Sequence, residues 1–206
     1  MNSKSNEPAV IETFTLYTAK FLGLYLELEN GSKIDMSFAL KNGRASYVIF
    51  EHLVSLLSGL LSNSQGGDSD LASIEGLKYE VKAYPDPETY PASKHDLFHT
   101  GASSTFGANN VGRATVNPAL KAARENPDDA AKHYQVALDA CIAAGYSKND
   151  FYIYTNTAQF EIGTPFRFMV FPTSTVMENL DSRDPRLISR QTLLSLIKNH
   201  VTLNFN

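Results

Sequence analysis

Residues 77–83 constrain the fold of this chain more than any other segment, because apolar residues occupy every second position and charged residues lie between them. The apolar positions are Leu77, Tyr79, Val81 and Ala83. Successive side chains of a strand point to opposite faces, so this alternation predicts a half-buried strand. It also places Glu80 and Lys82 together on an exposed polar face, about 7 Å apart along the strand.

An aspartate upstream, Asp70, adds a second carboxylate to this pair. Two carboxylates and an ammonium group on one side suit a hard divalent cation and an activated water, which is an arrangement for phosphodiester hydrolysis. Asp68 is a rival ligand, but Asp70 is favoured because a ligand belongs at the start of a strand and not in the preceding Gly-Gly loop. The other interpretation of Glu80 and Lys82 is an ordinary ion pair on an exposed strand.

Composition limits the class of protein. The 206 residues are enough for one core, so we expect a single domain over residues 1–206. The net charge of −4 argues mildly against nucleic-acid binding without excluding it, because acids around a metal can coexist with a locally basic groove.

No apolar run is long enough to cross a membrane, and residues 1–8 lack the layout of a signal peptide. A single cysteine, Cys141, excludes an intramolecular disulfide framework, and we therefore expect a cytoplasmic protein.

The first sixty residues predict a hairpin and a helix. Residues 24–38 alternate around Asn30-Gly31 like a hairpin with a type I′ turn, preceded by a short helix, although residues 14–28 also fit a helix that ends at Gly31. Residues 45–61 predict a helix with one apolar face and a narrow polar stripe that carries Glu51. The apolar face contains Ile49, Leu53, Leu56, Leu57 and Leu60.

The second half of the chain begins with a long polar segment, residues 91–118, of which 97–106 is a candidate strand. A helix is predicted from Pro127 to Ala144, with Asn126 as its N-cap and Gly145 at its end. Strands over 151–157 and 166–171 and a closing helix over 185–199 follow. These elements predict a mixed α/β fold around a central sheet.

This element order and the acidic residues resemble the PD-(D/E)XK nuclease superfamily, the fold of most type II restriction endonucleases. Ser69-Asp70 corresponds to the Pro-Asp of the motif, and Glu80-Val81-Lys82 to its (D/E)XK part. The segment looks most like the branch that contains the strand-nicking endonuclease of mismatch repair, because Glu51 lies on the preceding helix and Asp70-Leu-Ala-Ser-Ile74 opens the next strand. The resemblance covers residues 43–84 and implies a restriction-endonuclease-like central mixed β-sheet flanked by helices.

The resemblance implies a type II restriction endonuclease, a Mg²⁺-dependent hydrolase of double-stranded DNA. Asp70, Glu80 and the backbone carbonyl of Val81 would bind Mg²⁺, with waters completing an octahedron. Lys82 would orient the attacking water and stabilise developing charge. Glu51 would assist through a water or a second ion.

Recognition of bases would fall to the polar loop after the strand. The candidate DNA contacts are Lys94, His95, Asn109, Asn110 and Arg113. His95 and His99 could also suggest a transition-metal pair, which no helix or third histidine supports.

The expected partners are double-stranded DNA, a cognate DNA methyltransferase and a second copy of the chain. A two-fold homodimer would present one active site to each strand, through an apolar patch on the aromatic strands or on the helix near 187–197. Two alternatives stay open: a junction-resolving or nicking repair nuclease of the same fold, and a non-catalytic interaction protein.

Overall fold

A seven-stranded β-sheet with helices on both faces forms the centre of this protein, which is described here by a computed structural model. The described residues are 15–20, 23, 25–41, 43–62, 69–83, 88, 97–99, 111–155, 165–198 and 201–204. The strands are β1 (Thr15–Lys20), β2 (Tyr25–Glu27), β3 (Lys33–Asp35), β4 (Leu61–Ser62), β5 (Leu71–Ala72), β6 (Lys78–Ala83), β7 (Leu97–His99), β8 (Phe151–Thr155), β9 (Pro165–Pro172), β10 (Leu187–Ser189) and β11 (Val201–Asn204). The helices are α1 (Gly43–Ser58), α2 (Asn117–Glu125), α3 (Ala130–Ala144), α4 (Thr173–Glu178) and α5 (Arg190–Lys198).

The central sheet is mixed, and its strand order is β11-β1-β9-β8-β6-β5-β4. Strands β4, β5 and β6 form an antiparallel meander, whereas β6 pairs with β8 in parallel. Strand β9 is antiparallel to β8 and to β1, and β11 is parallel to β1. Parallel neighbours require a crossover, and the connection from β6 to β8 contains α3. The predicted mixed α/β class is confirmed.

The two middle strands, β8 and β9, are buried on both faces of the sheet. Tyr152 and Tyr154 share one core with residues of α3 and α5, and we call this side the α3 face. Phe151 and Ile153 share the other core with Phe50 of α1, and we call this side the α1 face. Burial on both sides explains why these strands are almost continuously apolar. It also shows that the dimer patch predicted on the aromatic strands is wrong, because those side chains are core.

Helix α1 confirms the helix predicted over 45–61, and of its predicted apolar face only Leu56 lies outside the core. Among the side chains of α1 whose burial the structure describes, Phe50 and Val54 are fully buried, whereas Leu56 is 75% exposed. Phe50 stacks on Phe166 of β9, with ring centroids 5.1 Å apart. The helix ends where Gly59 takes a positive φ of 76° and donates its N–H to the carbonyl of Ser55.

The helix predicted over 127–144 is found as a 3₁₀ turn, Pro127–Asp129, followed by α3. Gly145 closes it as predicted, and its N–H donates to the carbonyl of Cys141. Asn126 occupies the predicted N-cap position, but its side chain makes no capping hydrogen bond. Helix α2 and the π-helical turn before it, Gly112–Val116, were not predicted; the turn lies in the segment 91–118, which has the composition of a polar loop.

The hairpin predicted over 24–38 is confirmed as β2 and β3, but its turn differs. Leu28 and Ser32 close the loop: the Leu28 N–H donates to the Ser32 carbonyl and the Gly31 N–H to the Leu28 carbonyl. Gly31 alone has a positive φ, 79°, which describes a three-residue loop and not the predicted type I′ turn. The short helix predicted before the hairpin is also wrong, because residues 15–20 are β1, a strand of the central sheet.

The C-terminal part departs from the single helix predicted over 185–199. Strand β10 comes first and pairs with β7, so that Leu187 faces His99, and α5 follows. Leu193 of α5 is fully buried, so this helix does not offer it as a dimer contact. The candidate strand over 97–106 is described only at 97–99, where it is β7.

The hairpin β5–β6, which carries the candidate site, has a loop of the same type as the hairpin β2–β3. The Ser73 N–H donates to the Leu77 carbonyl, and the Gly76 N–H donates to the Ser73 carbonyl. Gly76 has a φ of 87°, a left-handed conformation that side chains with a Cβ disfavour.

We expect Gly76→Ala to lower the free energy of unfolding by about 1 kcal/mol, because the strain of the positive φ is not relieved by any contact. Urea denaturation of both proteins measures the difference. Glu75→Ala, at an exposed position in the same loop, is the control and should change stability by less than about 0.5 kcal/mol. Equal stability of Gly76→Ala and wild type would contradict this role of the glycine.

Candidate functional site

The alternation predicted for residues 77–83 is confirmed in β6. Tyr79 and Val81 are each 2% exposed and belong to the core on the α1 face. Glu80 and Lys82 point to the α3 face, because they pair in register with Tyr152 and Tyr154 of the parallel strand β8. The strand therefore holds the acid and the lysine side by side.

The polar face of β6 is not exposed as predicted. The side chains of Lys82 and Glu80 are only 19% and 21% accessible. The sequence pattern suggests a sheet with one solvated face, whereas here helices pack on both faces of the central sheet, and most of each charged side chain is shielded from solvent. A half-buried ion pair is the result.

Asp70 lies directly across from this pair. Leu71 pairs with Tyr79 in the antiparallel register of β5 and β6, so the preceding residue, Asp70, falls opposite Glu80. Oδ2 of Asp70 accepts a hydrogen bond from the backbone N–H of Val81 at 2.8 Å. This bond fixes the Asp70 carboxylate beside β6, between the positions of Glu80 and Lys82.

The backbone of Val81 contributes to the same edge. The N–H and C=O groups of one strand residue point to the same neighbouring strand, so the carbonyl of Val81 is directed to the side on which Asp70 lies. Two carboxylates and one carbonyl are hard oxygen donors of the kind that Mg²⁺ and Ca²⁺ prefer. The donor set therefore fits the cation that the sequence predicts.

The electrostatics of Glu80 also fit a cation site. Burial raises the pKa of the Glu80 carboxyl, the ion pair with Lys82 lowers it, and the nearby Asp70 carboxylate raises it again. The net shift of the pKa is upward. Two partly buried carboxylates that repel each other are stabilised when a divalent cation binds between them.

Lys148 is a member of the site that the sequence did not reveal. It lies in the 3₁₀ turn Tyr146–Lys148 before β8, and its positive charge lowers the pKa of Glu80. Its ammonium group is exposed, and a second cation beside the acids suits a negatively charged ligand. Only the parallel pairing of β6 with β8 brings this turn to Glu80, and no local sequence pattern predicts that pairing.

Tyr152 forms the wall of the site on the side of β8. It pairs in register with Glu80 and is fully buried. Burial, together with the Glu80 carboxylate, raises the pKa of the Tyr152 hydroxyl, which therefore stays protonated in the folded chain.

Glu51 does not join the two carboxylates. Helix α1 packs on the opposite face of the sheet from Glu80, and one carboxylate oxygen of Glu51 is shielded from solvent. Among the residues that the structure describes, no group of three or more His, Cys, Asp or Glu side chains is placed to hold a metal ion. The supporting role of Glu51 stays a prediction.

Most of the predicted DNA contacts lie outside the described residues. These are Lys94, His95, Asn109 and Asn110, and the rival acid Asp68 lies outside them as well. Arg113 is described: it is exposed, in the π-helical turn that leads into α2.

A scan of protein-family models and searches of curated proteins and of solved structures find no match to this chain. In the described part of the chain, no helix combines the length and the apolar character needed to cross a membrane.

The raised pKa of Glu80 predicts a specific pH dependence of stability without metal. The folded chain binds a proton at Glu80 more tightly than the unfolded chain does, so stability is lost as the pH rises through the raised pKa. Wild type should therefore lose stability relative to Glu80→Gln as the pH increases. Urea denaturation in EDTA, between about pH 4 and pH 8, measures this difference.

Glu75→Gln, which removes an exposed carboxylate from the same hairpin, is measured in parallel as the control. A Glu80→Gln protein that loses stability relative to wild type as the pH rises would mean that Glu80 is stabilised in its charged form.

Proposed function

We propose that this protein is a Mg²⁺-dependent endonuclease with a restriction-endonuclease-like fold. The observation that carries the proposal is the hydrogen bond from the Val81 N–H to Asp70, which sets this carboxylate opposite Glu80 and beside Lys82. Two acids and a lysine thereby lie together beside β6, and the PD-(D/E)XK motif would assign them the roles of metal ligands and catalytic lysine.

The topology around the acids supports the same proposal. In chain order, α1 is followed by the antiparallel meander β4–β5–β6, then by α3, and then by β8 in parallel with β6. Helices α1 and α3 cover opposite faces of the sheet. This is the order of helix, acid-bearing strands, helix and strand that the resemblance to restriction endonucleases implies.

The chain's own residues would act as follows. Asp70, Glu80 and the Val81 carbonyl would hold Mg²⁺, which when bound polarises the scissile phosphate and lowers the pKa of a water. Lys82, already paired with Glu80, would hold that water in line with phosphorus and offset the charge that develops on the phosphate oxygens. Lys148 would attract the DNA backbone from the exposed side of the site.

The substrate we propose is double-stranded DNA at a short specific sequence, as in type II restriction, with a cognate DNA methyltransferase that protects the host and a cytoplasmic location. A homodimer would place one such site on each strand. The same residues would serve a junction-resolving or nicking repair nuclease equally well, and that is the second candidate.

A non-catalytic interaction protein is the alternative from a different class. The observation that favours it is that the charges already pair with one another: Lys82 with Glu80, and Asp70 with a backbone N–H. Such an arrangement also serves as a purely structural link between β5 and β6.

Incubation of supercoiled plasmid with the protein in Mg²⁺, and in parallel with EDTA, separates these candidates. Discrete fragments that require Mg²⁺ support restriction, and sequencing of their ends gives the site. Cleavage of branched DNA alone, or nicks in one strand, supports the second candidate. The absence of any metal-dependent product from these substrates would contradict the proposed nuclease activity.

We expect Asp70→Asn and Lys82→Ala each to reduce the rate of cleavage by about 100-fold or more, because loss of a ligand or of the charged lysine removes several kcal/mol of transition-state stabilisation. The asparagine oxygen can still accept the Val81 N–H bond, so the fold should persist, and circular dichroism checks this.

Asp68→Asn, which alters the rival acid, is the matched control and should leave the rate within a few-fold of wild type. A larger loss in Asp68→Asn than in Asp70→Asn would show that Asp68, and not Asp70, is the ligand. A Lys82→Ala protein that cuts at the wild-type rate would contradict the catalytic role of Lys82.

A further inference from the structure

Exposed apolar side chains, unrelated to the acidic site, are concentrated in and next to the first hairpin. Half of the large apolar side chains that are exposed in the described residues fall between positions 25 and 38. These are Tyr25, Leu26, Leu28, Ile34 and Phe38, at 59%, 51%, 40%, 44% and 67% exposure. Apolar exposure concentrated in so short a segment is typical of an interaction surface.

The hairpin has two chemically different faces. Leu26 and Ile34 are cross-strand partners on one face, whereas the pairs Glu27–Lys33 and Tyr25–Asp35 lie on the other. Within the described residues, β2 and β3 form a two-stranded sheet that is not joined to the central sheet. A hairpin of this size is only marginally stable alone, and its outer edges can accept another strand.

The outer edge of β3 has a defined hydrogen-bonding pattern. Leu28 donates its N–H to the Ser32 carbonyl, so this is a hydrogen-bonded pair. Such pairs alternate along an antiparallel ladder, so Ile34 bonds to β2, while the backbone groups of Lys33 and Asp35 point outward. The outer edge of β3 therefore presents the N–H and C=O groups of Lys33 and Asp35.

We infer that two copies of this chain pair through the β3 edges, antiparallel and with the two-fold axis at Ile34. In this register Lys33 of each copy lies opposite Asp35 of the other, and the outward backbone groups of these residues exchange hydrogen bonds. Each of the two symmetric contacts also joins opposite charges. The two Ile34 side chains meet at the axis and extend the apolar face across both hairpins.

The other edge of the hairpin offers no such match. An antiparallel two-fold pairing of β2 around Leu26 would set Tyr25 against Glu27 of the second copy, which joins no opposite charges. Charge complementarity therefore selects β3. The Asp35 carboxylate is also held in place, because its Oδ1 accepts the N–H of Ser37 at 2.8 Å.

This inference locates the homodimer named in the proposed function, but its test needs neither DNA nor metal. Failure of the dimer and failure of the nuclease are therefore distinguishable. The first measurement is the mass of the wild-type chain by light scattering over a range of concentrations, where we expect a dimer. A chain that stays monomeric at its highest soluble concentration overturns the inference, and the apolar face would then serve another partner.

Cysteine cross-linking tests the register. The Cα atoms of the two Ile34 residues would be about 4.5 Å apart, within the range of a disulfide. Ile34→Cys should therefore form a disulfide-linked dimer under mild oxidation. Leu26→Cys is the matched control: it is similarly exposed on the same face, but it would lie three strand spacings, about 14 Å, from its copy. Cys141 is buried and does not compete. Cross-linking of Leu26→Cys as fast as Ile34→Cys would overturn the register.

Charge reversal gives an independent check. Lys33→Glu places like charges at both contacts, and we expect it to raise the dimer dissociation constant about 10-fold or more. Adding Asp35→Lys to the same chain restores opposite charges, and the dissociation constant should return towards the wild-type value. A double variant that is weaker than Lys33→Glu alone would contradict the pairing.

Discussion

Strand β6 lies parallel to β8 at the middle of the sheet, and no tight turn can join two parallel neighbours. The chain must therefore cross over between them, and α3 lies in that connection. Helix α3 packs on one face of the sheet and α1 on the other, and the side chains of β6 are partly or wholly buried on both faces. The burial of Glu80, its proximity to Lys148 and its contact with Tyr152 all follow from this one pairing.

The two lysines of the acidic site do not fully offset the effect of burial on Glu80. Lys82 neutralises Glu80, and a backbone N–H engages Asp70, yet the pKa of Glu80 remains raised by burial and by the neighbouring carboxylate. A divalent cation between the carboxylates would remove this repulsion and free Lys82 to interact with a phosphate. Two neighbouring carboxylates in a partly buried site are electrostatically unfavourable, which is consistent with a cation site. A purely structural link between β5 and β6 would need only one of the two acids.

Local patterns predicted local structure well. The alternation at residues 77–83 gave β6 and its two faces, and the apolar periodicity near 45–61 gave α1. The loop at Gly31 was misassigned because Asn-Gly suits a type I′ turn as readily as a loop in which the glycine alone has a positive φ. The burial of Glu80 and the presence of Lys148 depend on pairing between segments far apart in sequence, which no local pattern contains.

The central claim is that Asp70 and Glu80 together bind a divalent cation. Titration of the metal-free protein with Mn²⁺ in a calorimeter tests it without reference to any substrate, because Mn²⁺ accepts the same oxygen ligands as Mg²⁺. We predict that wild type binds Mn²⁺ and that Glu80→Gln loses this binding while Glu75→Gln retains it. No heat of binding in wild type, or equal affinity in wild type and Glu80→Gln, would contradict the claim.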